Sequence, residues 1–315
     1  MKASNEGINL NRLLESIKYD TIKIPHRHIS QYNYISDIEE GTYGRVTKQC
    51  FEDTVIALKE IRLFTNKINL SRLIQEELEI FQMTDHPNII KLNGLVSGGS
   101  QRSIYFEFPF YITTLHTLTN TPQMDDVKLR KSCIKQILQG LEYLDQKQII
   151  HRDLTPFNIF LSEDNGLVIG DFNVSKKITP TNKLSPAKTT LFYKAPEVLF
   201  DCKEYDGAVD VWALATIVYE IYNHGKVLFE VDCDIELASL MIKVMGLPTY
   251  LDEYRDLDFF KFLTFESSEK TVGIETFVSN EETESQILDL LKSILTFDSK
   301  KRPKPSQLLE LPYFN

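Results

Sequence analysis

The hydrophobic periodicity of the chain changes once, near Glu107, and this change constrains the fold more than any other feature. Before it, short runs rich in β-branched and aromatic residues alternate with Gly, Asn, Asp and Ser turns, which predicts a mostly antiparallel sheet. After it, apolar residues recur at helical spacing, as in KSCIKQILQGLEYLDQ. We therefore expect an α+β chain with a β-rich first part and a larger, mainly helical second part.

Two helical segments carry acidic residues among apolar ones. Leu70, Leu73, Ile74, Glu77 and Phe81 recur at helical spacing, so Glu77 is expected on the apolar face of a helix inside the β-rich part. The segment VDVWALATIVYEIY is apolar nearly all round, which predicts a helix buried in the second part. Its Asp210 is a candidate N-cap.

Composition narrows the classes of partner. The 315 residues include 35 Lys and Arg against 45 Asp and Glu, a net charge of −10, and 42% hydrophobic residues. This is an ordinary globular balance, with enough chain for about two domains or lobes. Binding to a nucleic acid needs clustered basic residues, which are lacking, so we expect no nucleic-acid partner and a basic substrate instead.

The cysteines indicate a reducing compartment. Cys50, Cys133, Cys202 and Cys233 lie far apart without a Cys-x-x-Cys pair, which is typical of reduced thiols. No window approaches 18 consecutive apolar residues, and the N-terminus has no apolar core of signal-peptide length. The expectation is an intracellular protein, cytoplasmic or nuclear, that neither is secreted nor crosses a membrane.

Five short motifs follow one another in a fixed order. EEGTYGRV lies between two β runs, VIALK puts Lys59 on a strand, HRDLTPFNIF spans 151–160, and LVIGDFNV and YKAPEVLF come next. Glycines let backbone amides approach phosphates closely. A Gly-rich turn alone is nevertheless weak evidence for a phosphate site, because hairpin turns between strands are common. The motifs together resemble the eukaryotic protein kinases, and the resemblance runs from about Tyr32 to Phe314.

The resemblance implies a bilobal fold with a small antiparallel N-lobe containing one regulatory helix and a larger helical C-lobe. The corresponding boundaries are an N-terminal extension at 1–31, an N-lobe at 32–106, a hinge at 107–110 and a C-lobe at 111–315. The implied ligands are ATP and Mg²⁺, the implied partner is a protein substrate, and we expect a monomer.

The resemblance also implies the roles of particular residues. Lys59 would hold the α and β phosphates of ATP and be oriented by Glu77, while Asp153 would accept the proton of the substrate hydroxyl. Asn158 and Asp171 would bind two magnesium ions through oxygen atoms. Phe106 would be the gatekeeper, and Arg152 and Glu197 match the His-Arg-Asp and Ala-Pro-Glu motifs. The expected nucleotide contacts are Gly41, Gly44, Val46, Ala57, Lys59, Glu107, Phe108 and Phe160.

Several departures from the family pattern bear on activity. Glu39 replaces the first glycine of Gly-x-Gly-x-x-Gly and brings a carboxylate near the expected phosphates. Thr155 replaces the lysine two positions beyond the catalytic aspartate and supplies no charge. Asn173 replaces the glycine after Asp-Phe, where asparagine is the residue that best tolerates positive φ. A pseudokinase scaffold with weak or no transfer therefore stays open beside an active enzyme.

The segments VIALKEIRL, TDHPNIIKL and VDVWALA resemble the cyclin-dependent kinase branch, and Pro156 favours Ser and Thr as acceptors. In the family, three side chains bind the phosphate of a modified residue in the activation segment. The resemblance puts Ser185 at the modified position and Glu76, Arg152 and Lys176 at the three binding positions. The carboxylate of Glu76 would repel a phosphate.

These features resemble the fungal single-subunit kinases that activate cyclin-dependent kinases, so the expected protein substrate is a cyclin-dependent kinase. Lys194 stands where proline-directed relatives carry an arginine. The alternative of a cyclin-regulated, proline-directed kinase stays open, although a cyclin partner is not favoured.

Overall fold

The computed structural model describes residues 24–41, 44–62, 70–98, 103–179, 189–202, 204–246, 272–276 and 285–314. The chain divides into two compact units. The first contains residues Met1–Ile112 with Ser162–Asp164, and the second contains Thr113–Leu161 with Asn165–Asn315.

The first unit is built on a six-stranded sheet with the strand order β1-β5-β6-β4-β3-β2. All of its pairings are antiparallel except the parallel pairing of β1 with β5. The sheet confirms the predicted mostly antiparallel first part. Its strands are β1 His26–His28, β2 Asn33–Gly41, β3 Gly44–Phe51, β4 Thr54–Arg62, β5 Gly94–Ser97 and β6 Ser103–Pro109.

A tight turn fixes the register of the central hairpin. Glu52 and Asp53, which join β3 to β4, have φ values of 45° and 63°, so both lie in the left-handed region. A two-residue loop of this kind matches the right-handed twist of the flanking strands. The resulting register places Val46 opposite Lys59.

The helix of the first unit, α1 Leu70–Met83, follows the predicted pattern. Ile74, Glu77, Leu78 and Phe81 are buried along it. The ring of Phe81 packs against Phe106 of β6 with the centroids 6.1 Å apart. Glu77 therefore lies among apolar side chains, as its position in the sequence predicted.

The second unit is mainly helical and contains two small sheets. One sheet has the order β10-β9-β7, and the other pairs β11 with β8. Its strands are β7 Thr113–Thr114, β8 Ile149–Ile150, β9 Ile159–Leu161, β10 Leu167–Ile169 and β11 Lys176–Lys177. The helices are α2 Leu115–Thr119, α3 Val127–Gln146, α4 Pro196–Leu199, α5 Ala208–Tyr222, α6 Asp234–Met245, α7 Ser285–Ile294 and α8 Pro305–Leu309.

Helix α5 is buried along almost its whole length, which confirms the prediction from its apolar sequence. The predicted N-cap is wrong, because the N-cap residue is Gly207 and Asp210 lies inside the first turn. The carboxylate of Asp210 accepts hydrogen bonds from the backbone N–H groups of His151 and Arg152, at 2.7 and 2.9 Å. The carboxylate oxygens of Asp210 therefore bind a distant segment of the chain rather than capping α5.

Candidate functional site

The first unit brings Lys59 and Glu77 together. Lys59 lies on β4, where it pairs with Val46 on one side and Phe106 on the other. Its Nζ atom lies 3.7 Å from Oε1 of Glu77 on α1. Glu77 is buried, and a buried carboxylate needs such a partner to remain charged. The contact that the sequence predicted is present.

The Gly-rich segment forms the end of the β2–β3 hairpin. Gly41 pairs with Gly44, while residues 42–43 lie outside the described part. Gly44 has a φ of 155°, and a Cβ atom there would lie 1.8 Å from the carbonyl oxygen of Glu60. Close approach of two backbones therefore requires glycine at this position. Glu39 pairs with Val46 and is exposed.

The expected purine contacts of the first unit lie on three adjacent strands. Val46 is on β3 and Ala57 on β4, where Ala57 pairs with Phe108 of β6. Glu107 pairs with Leu58 and is buried, and the gatekeeper candidate Phe106 is fully buried. The last expected contact, Phe160, belongs to the second unit, where it pairs with Thr114 and Val168.

The segment 151–158 joins β8 to β9 and is anchored by Asp210. Burial raises the pKa of the Asp210 carboxyl above its ordinary value, although the electrostatic interactions with His151 and Arg152 and the two N–H bonds act to lower it. Arg152 has a φ of 72°, a left-handed conformation that costs energy outside glycine. Two hydrogen bonds from consecutive N–H groups to one carboxylate stabilise this backbone path.

Asp153 lies at the centre of a hydrogen-bond network. Nδ2 of Asn158 donates to its carbonyl oxygen at 2.8 Å and to Oδ2 at 3.3 Å. The backbone N–H and the hydroxyl of Thr190 both donate to Oδ1, at 3.0 and 2.9 Å. Thr189 adds a bond from its hydroxyl to the carbonyl of Arg152. Thr155, which replaces the expected lysine, is only 2% exposed.

A backbone hydrogen bond links the turn that contains Asp171 to this network. The N–H of Gly170 donates to the carbonyl of Asn158 at 2.9 Å, which ties the Asp171 turn to segment 151–158. Positive φ, at 61°, is found at Asp171 itself, while Asn173 is absent from the residues with positive φ. The turn therefore forms without using the tolerance of positive φ that asparagine offers at position 173. Instead, Nδ2 of Asn173 donates to Oδ2 of Asp171 at 3.4 Å.

The donor set suits magnesium. Asp171 and Asn158 offer the oxygen atoms that Mg²⁺ prefers, and Nδ2 of Asn158 is directed at Asp153, which turns the amide oxygen away from that residue. Among the described residues, no group of three or more His, Cys, Asp or Glu could hold a metal by itself.

The regulatory candidates have different surroundings. Nη1 of Arg152 donates to the carbonyl of Val174 at 3.1 Å, and the guanidinium lies 5.8 Å from the ring centroid of Tyr205. Lys194 forms a 2.6 Å ion pair with Asp234 at the start of α6. Ser185 lies outside the described residues.

Glu197 on α4 forms a buried, two-pronged ion pair with Arg302, at 2.6 and 2.8 Å. The guanidinium of Arg302 also lies 5.0 Å from the Trp212 ring.

Sequence reasoning missed four residues of this arrangement: Thr189, Thr190, Asp210 and Arg302. An acidic residue in an otherwise apolar helix was a usable signal for Asp210, which we assigned to a cap. The threonines carry no such signal, because their partners Arg152 and Asp153 lie 37 positions away.

None of the described helices has the length and apolar character needed to span a membrane. The family of protein kinase domains matches residues 32–314. Among curated proteins, cell division control protein 2 homolog 3 of Trypanosoma brucei brucei is 28% identical over 298 residues, which cover 90% of this chain and 92% of that protein.

Two further relatives are longer than this chain. Mouse cyclin-dependent kinase 11B is 29% identical over 294 residues, covering 91% of the chain and 37% of that protein. A probable serine/threonine-protein kinase of Arabidopsis thaliana is 28% identical over 296 residues, covering 91% of the chain and 41% of that protein. The chain thus spans less than half the length of these two relatives.

Proposed function

Since the chain belongs to the protein kinase family, we propose that it transfers the γ-phosphate of ATP to a serine or threonine hydroxyl of a protein substrate. The observation that carries this proposal is the environment of Asp153, whose carboxylate is oriented by Asn158 and Thr190. A catalytic base must be held in one geometry before it can act, and fixed hydrogen bonds supply that.

In the first unit, Lys59 would neutralise charge on the α and β phosphates. Glu77 holds the ammonium group through the 3.7 Å ion pair, which limits the positions the lysine can take. The backbone at Gly41 and Gly44 would approach the phosphates, while Val46, Ala57, Glu107 and Phe108 would contact the purine.

In the second unit, Asp153 would accept the proton as the substrate oxygen bonds to the γ-phosphorus. The bond between that phosphorus and the β–γ bridging oxygen breaks, and ADP leaves with the bridging oxygen. Asn158 and Asp171 would hold Mg²⁺, which when bound neutralises the phosphate oxygens. Pro156 beside Thr155 supports a Ser or Thr acceptor.

As a finer proposal, the substrate is the activation segment of a cyclin-dependent kinase, and the enzyme works without its own activation-segment phosphate. The surroundings of Arg152 support this proposal. Its buried guanidinium already donates to the Val174 carbonyl and lies 5.8 Å from the centroid of the Tyr205 ring, and these contacts offset part of the cost of burying it without a phosphate. Replacing Ser185 with alanine should then leave the rate unchanged.

A second candidate is a pseudokinase scaffold. The observation that favours it is the identity of residue 155, because the family uses a lysine at this position and the buried Thr155 carries no charge. Both candidates predict nucleotide contacts, and only phosphate transfer separates them.

The test is transfer from magnesium ATP by the purified chain to a kinase-dead cyclin-dependent kinase. Asp153→Asn removes the base while keeping the shape of the side chain. Asp289→Asn is the matched control, because it makes the same change at an exposed position of α7. We expect transfer to the activation-segment threonine by the wild type and by the control, and none by Asp153→Asn.

Transfer only to other proteins, or only after cyclin is added, would contradict the finer proposal. If no substrate is phosphorylated, the result contradicts the proposal of an active kinase and favours the pseudokinase scaffold.

A further inference from the structure

A short strand precedes the region that matches the family. Strand β1 pairs in parallel with β5, with His26 opposite Leu95 and His28 opposite Ser97, and the N–H of Leu95 donates to the carbonyl of Pro25 at 2.8 Å. The residues of β1 lie before position 32, where the match to the protein kinase family begins. We name residues 25–32 the β1 segment, and it supplies a sixth strand to the sheet.

Two side chains of the β1 segment contact the buried carboxylate of Glu107. Nη1 of Arg27 lies 2.7 Å from Oε2 of Glu107, and the hydroxyl of Tyr32 donates to the same oxygen at 2.5 Å. Glu107 is only 3% exposed. Burying a carboxylate is costly unless it is paired and hydrogen-bonded, so the two donors stabilise the charged form of Glu107.

Aromatic packing holds both donors in place. Tyr32 stacks on Phe51 with the ring centroids 4.9 Å apart, and the guanidinium of Arg27 lies 4.7 Å from the same ring. Burial raises the pKa of the Tyr32 hydroxyl, and its bond to Glu107 raises it further, so the hydroxyl stays a donor. Burial alone would lower the pKa of Arg27, but the interactions with Glu107 and Tyr32 together outweigh it and the pKa is raised.

Gly94 makes room for this contact. A Cβ atom at Gly94 would lie 2.7 Å from Nη1 of Arg27 and 3.2 Å from Oε2 of Glu107. The backbone of Glu107 is held as well, because its carbonyl accepts a hydrogen bond from the N–H of Asn93 at 2.8 Å. Glu107 is thus fixed through both its side chain and its main chain.

We propose that the β1 segment is a positioning element for the nucleotide site, in which Arg27 and Tyr32 act through Glu107 on the affinity for ATP. This inference rests on the proposed binding of the purine by the backbone at Glu107 and Phe108. Arg27 and Tyr32 do not touch the nucleotide themselves. They hold the end of β6 in the conformation that the purine requires.

The test compares Arg27→Met, which keeps the packing on Phe51 but loses the charge and the donors, with Arg27→Lys, which keeps the charge. We expect Arg27→Met to raise the KM for ATP by about threefold to tenfold. The kcat at saturating ATP and the KM for the protein substrate should stay unchanged, and Arg27→Lys should restore much of the loss. Lys91→Met is the control, since it removes an exposed cation of the same unit.

Tyr32→Phe gives a second, milder variant that keeps the ring stack. In the double variant Arg27→Met with Glu107→Gln, the effects on the KM for ATP should fall short of additive, because both act on one contact. An unchanged KM for ATP in all variants, with only a lower unfolding temperature, would overturn the positioning role.

Calorimetric titration of the wild type with a non-hydrolysable ATP analogue separates this outcome from failure of the proposed function. If the wild type binds no analogue, the nucleotide site and the positioning role are both overturned. If it binds and the variants bind equally well, only the positioning role is overturned.

Discussion

Glu39 is a carboxylate at the start of the Gly-rich segment, where the family pattern has glycine. It is exposed on β2 opposite Val46. If the phosphates of ATP bind at this segment, its negative charge repels them, and a surface pair at this range is worth about 1 kcal/mol or less. We expect Glu39→Gln to lower the KM for ATP by about threefold, measured by steady-state kinetics at fixed protein substrate.

Glu40 offers the matched control for Glu39. The two residues are consecutive and pair with Arg45 and Val46, so their side chains point to opposite faces of the strand. Glu40→Gln should leave the KM for ATP nearly unchanged. Equal effects from both variants would contradict a local repulsion and indicate a response to net charge alone.

Single residues were predictable where their character conflicts with their surroundings. Glu77 was identifiable because a carboxylate on an apolar helical face needs a cation, and Lys59 supplies it. The conformation at Asn173 was not predictable, because the family glycine suggested positive φ there, whereas the turn puts positive φ at Asp171. Thr190 was not foreseeable, because its bond to Asp153 depends on the tertiary path of the chain between them.

At the scale of elements, helix α5 carries a buried carboxyl that titrates near neutrality. Burial raises the pKa of Glu220 from 4.5 to about 7, although the neighbouring hydroxyl of Tyr193 acts to lower it. Between these two values the folded state binds more protons than the unfolded state. The free energy of unfolding therefore falls as pH rises from 4.5 to about 7 and levels off above it.

The expected result is that Glu220→Gln removes this part of the pH dependence. The difference in unfolding free energy between variant and wild type should grow in favour of the variant by up to about 3 kcal/mol from acid to alkaline pH. Urea denaturation across this pH range measures it. Glu230→Gln, at an exposed position, is the control, and parallel curves for Glu220→Gln and wild type would contradict the prediction.

Elements with a strong hydrophobic pattern were predictable from the sequence, whereas elements that form through contacts with distant parts of the chain were not. The residues of α5 are apolar on every side, which predicts a buried helix whatever surrounds it. Strand β1 has the sequence HRH, which shows no apolar alternation. It forms because its backbone pairs with β5 and Arg27 reaches Glu107, and both partners lie far along the chain.

At the scale of the whole molecule, one buried ion pair ties distant parts of the second unit together. Glu197 and Arg302 are 105 positions apart, and both are almost fully buried. Removing one partner leaves an unpaired buried charge, which costs about 3–5 kcal/mol. Arg302→Met should lower the free energy of unfolding by that amount in urea denaturation.

Lys304→Met, two residues further along, removes an exposed cation and should cost far less than Arg302→Met. Comparable losses in the two variants would contradict the assigned importance of the buried pair.

Net charge is a property of the whole chain and bears on which substrates reach it. At −10, the protein should attract basic peptides over a distance that salt shortens. The screening length falls from about 10 Å at 0.1 M ionic strength to about 3 Å at 1 M. We expect kcat/KM for a lysine-flanked peptide to fall over this range, and that for an acidic peptide of the same length to rise, because screening removes attraction in one case and repulsion in the other.

A neutral peptide of the same length is the control and should respond little to salt. A shared salt dependence for all three peptides would contradict long-range attraction as a source of selectivity. Substrate choice would then depend on local side chains, and the 2.6 Å pair of Lys194 with Asp234 would be the first to test, because Lys194 follows Thr190 closely in the sequence.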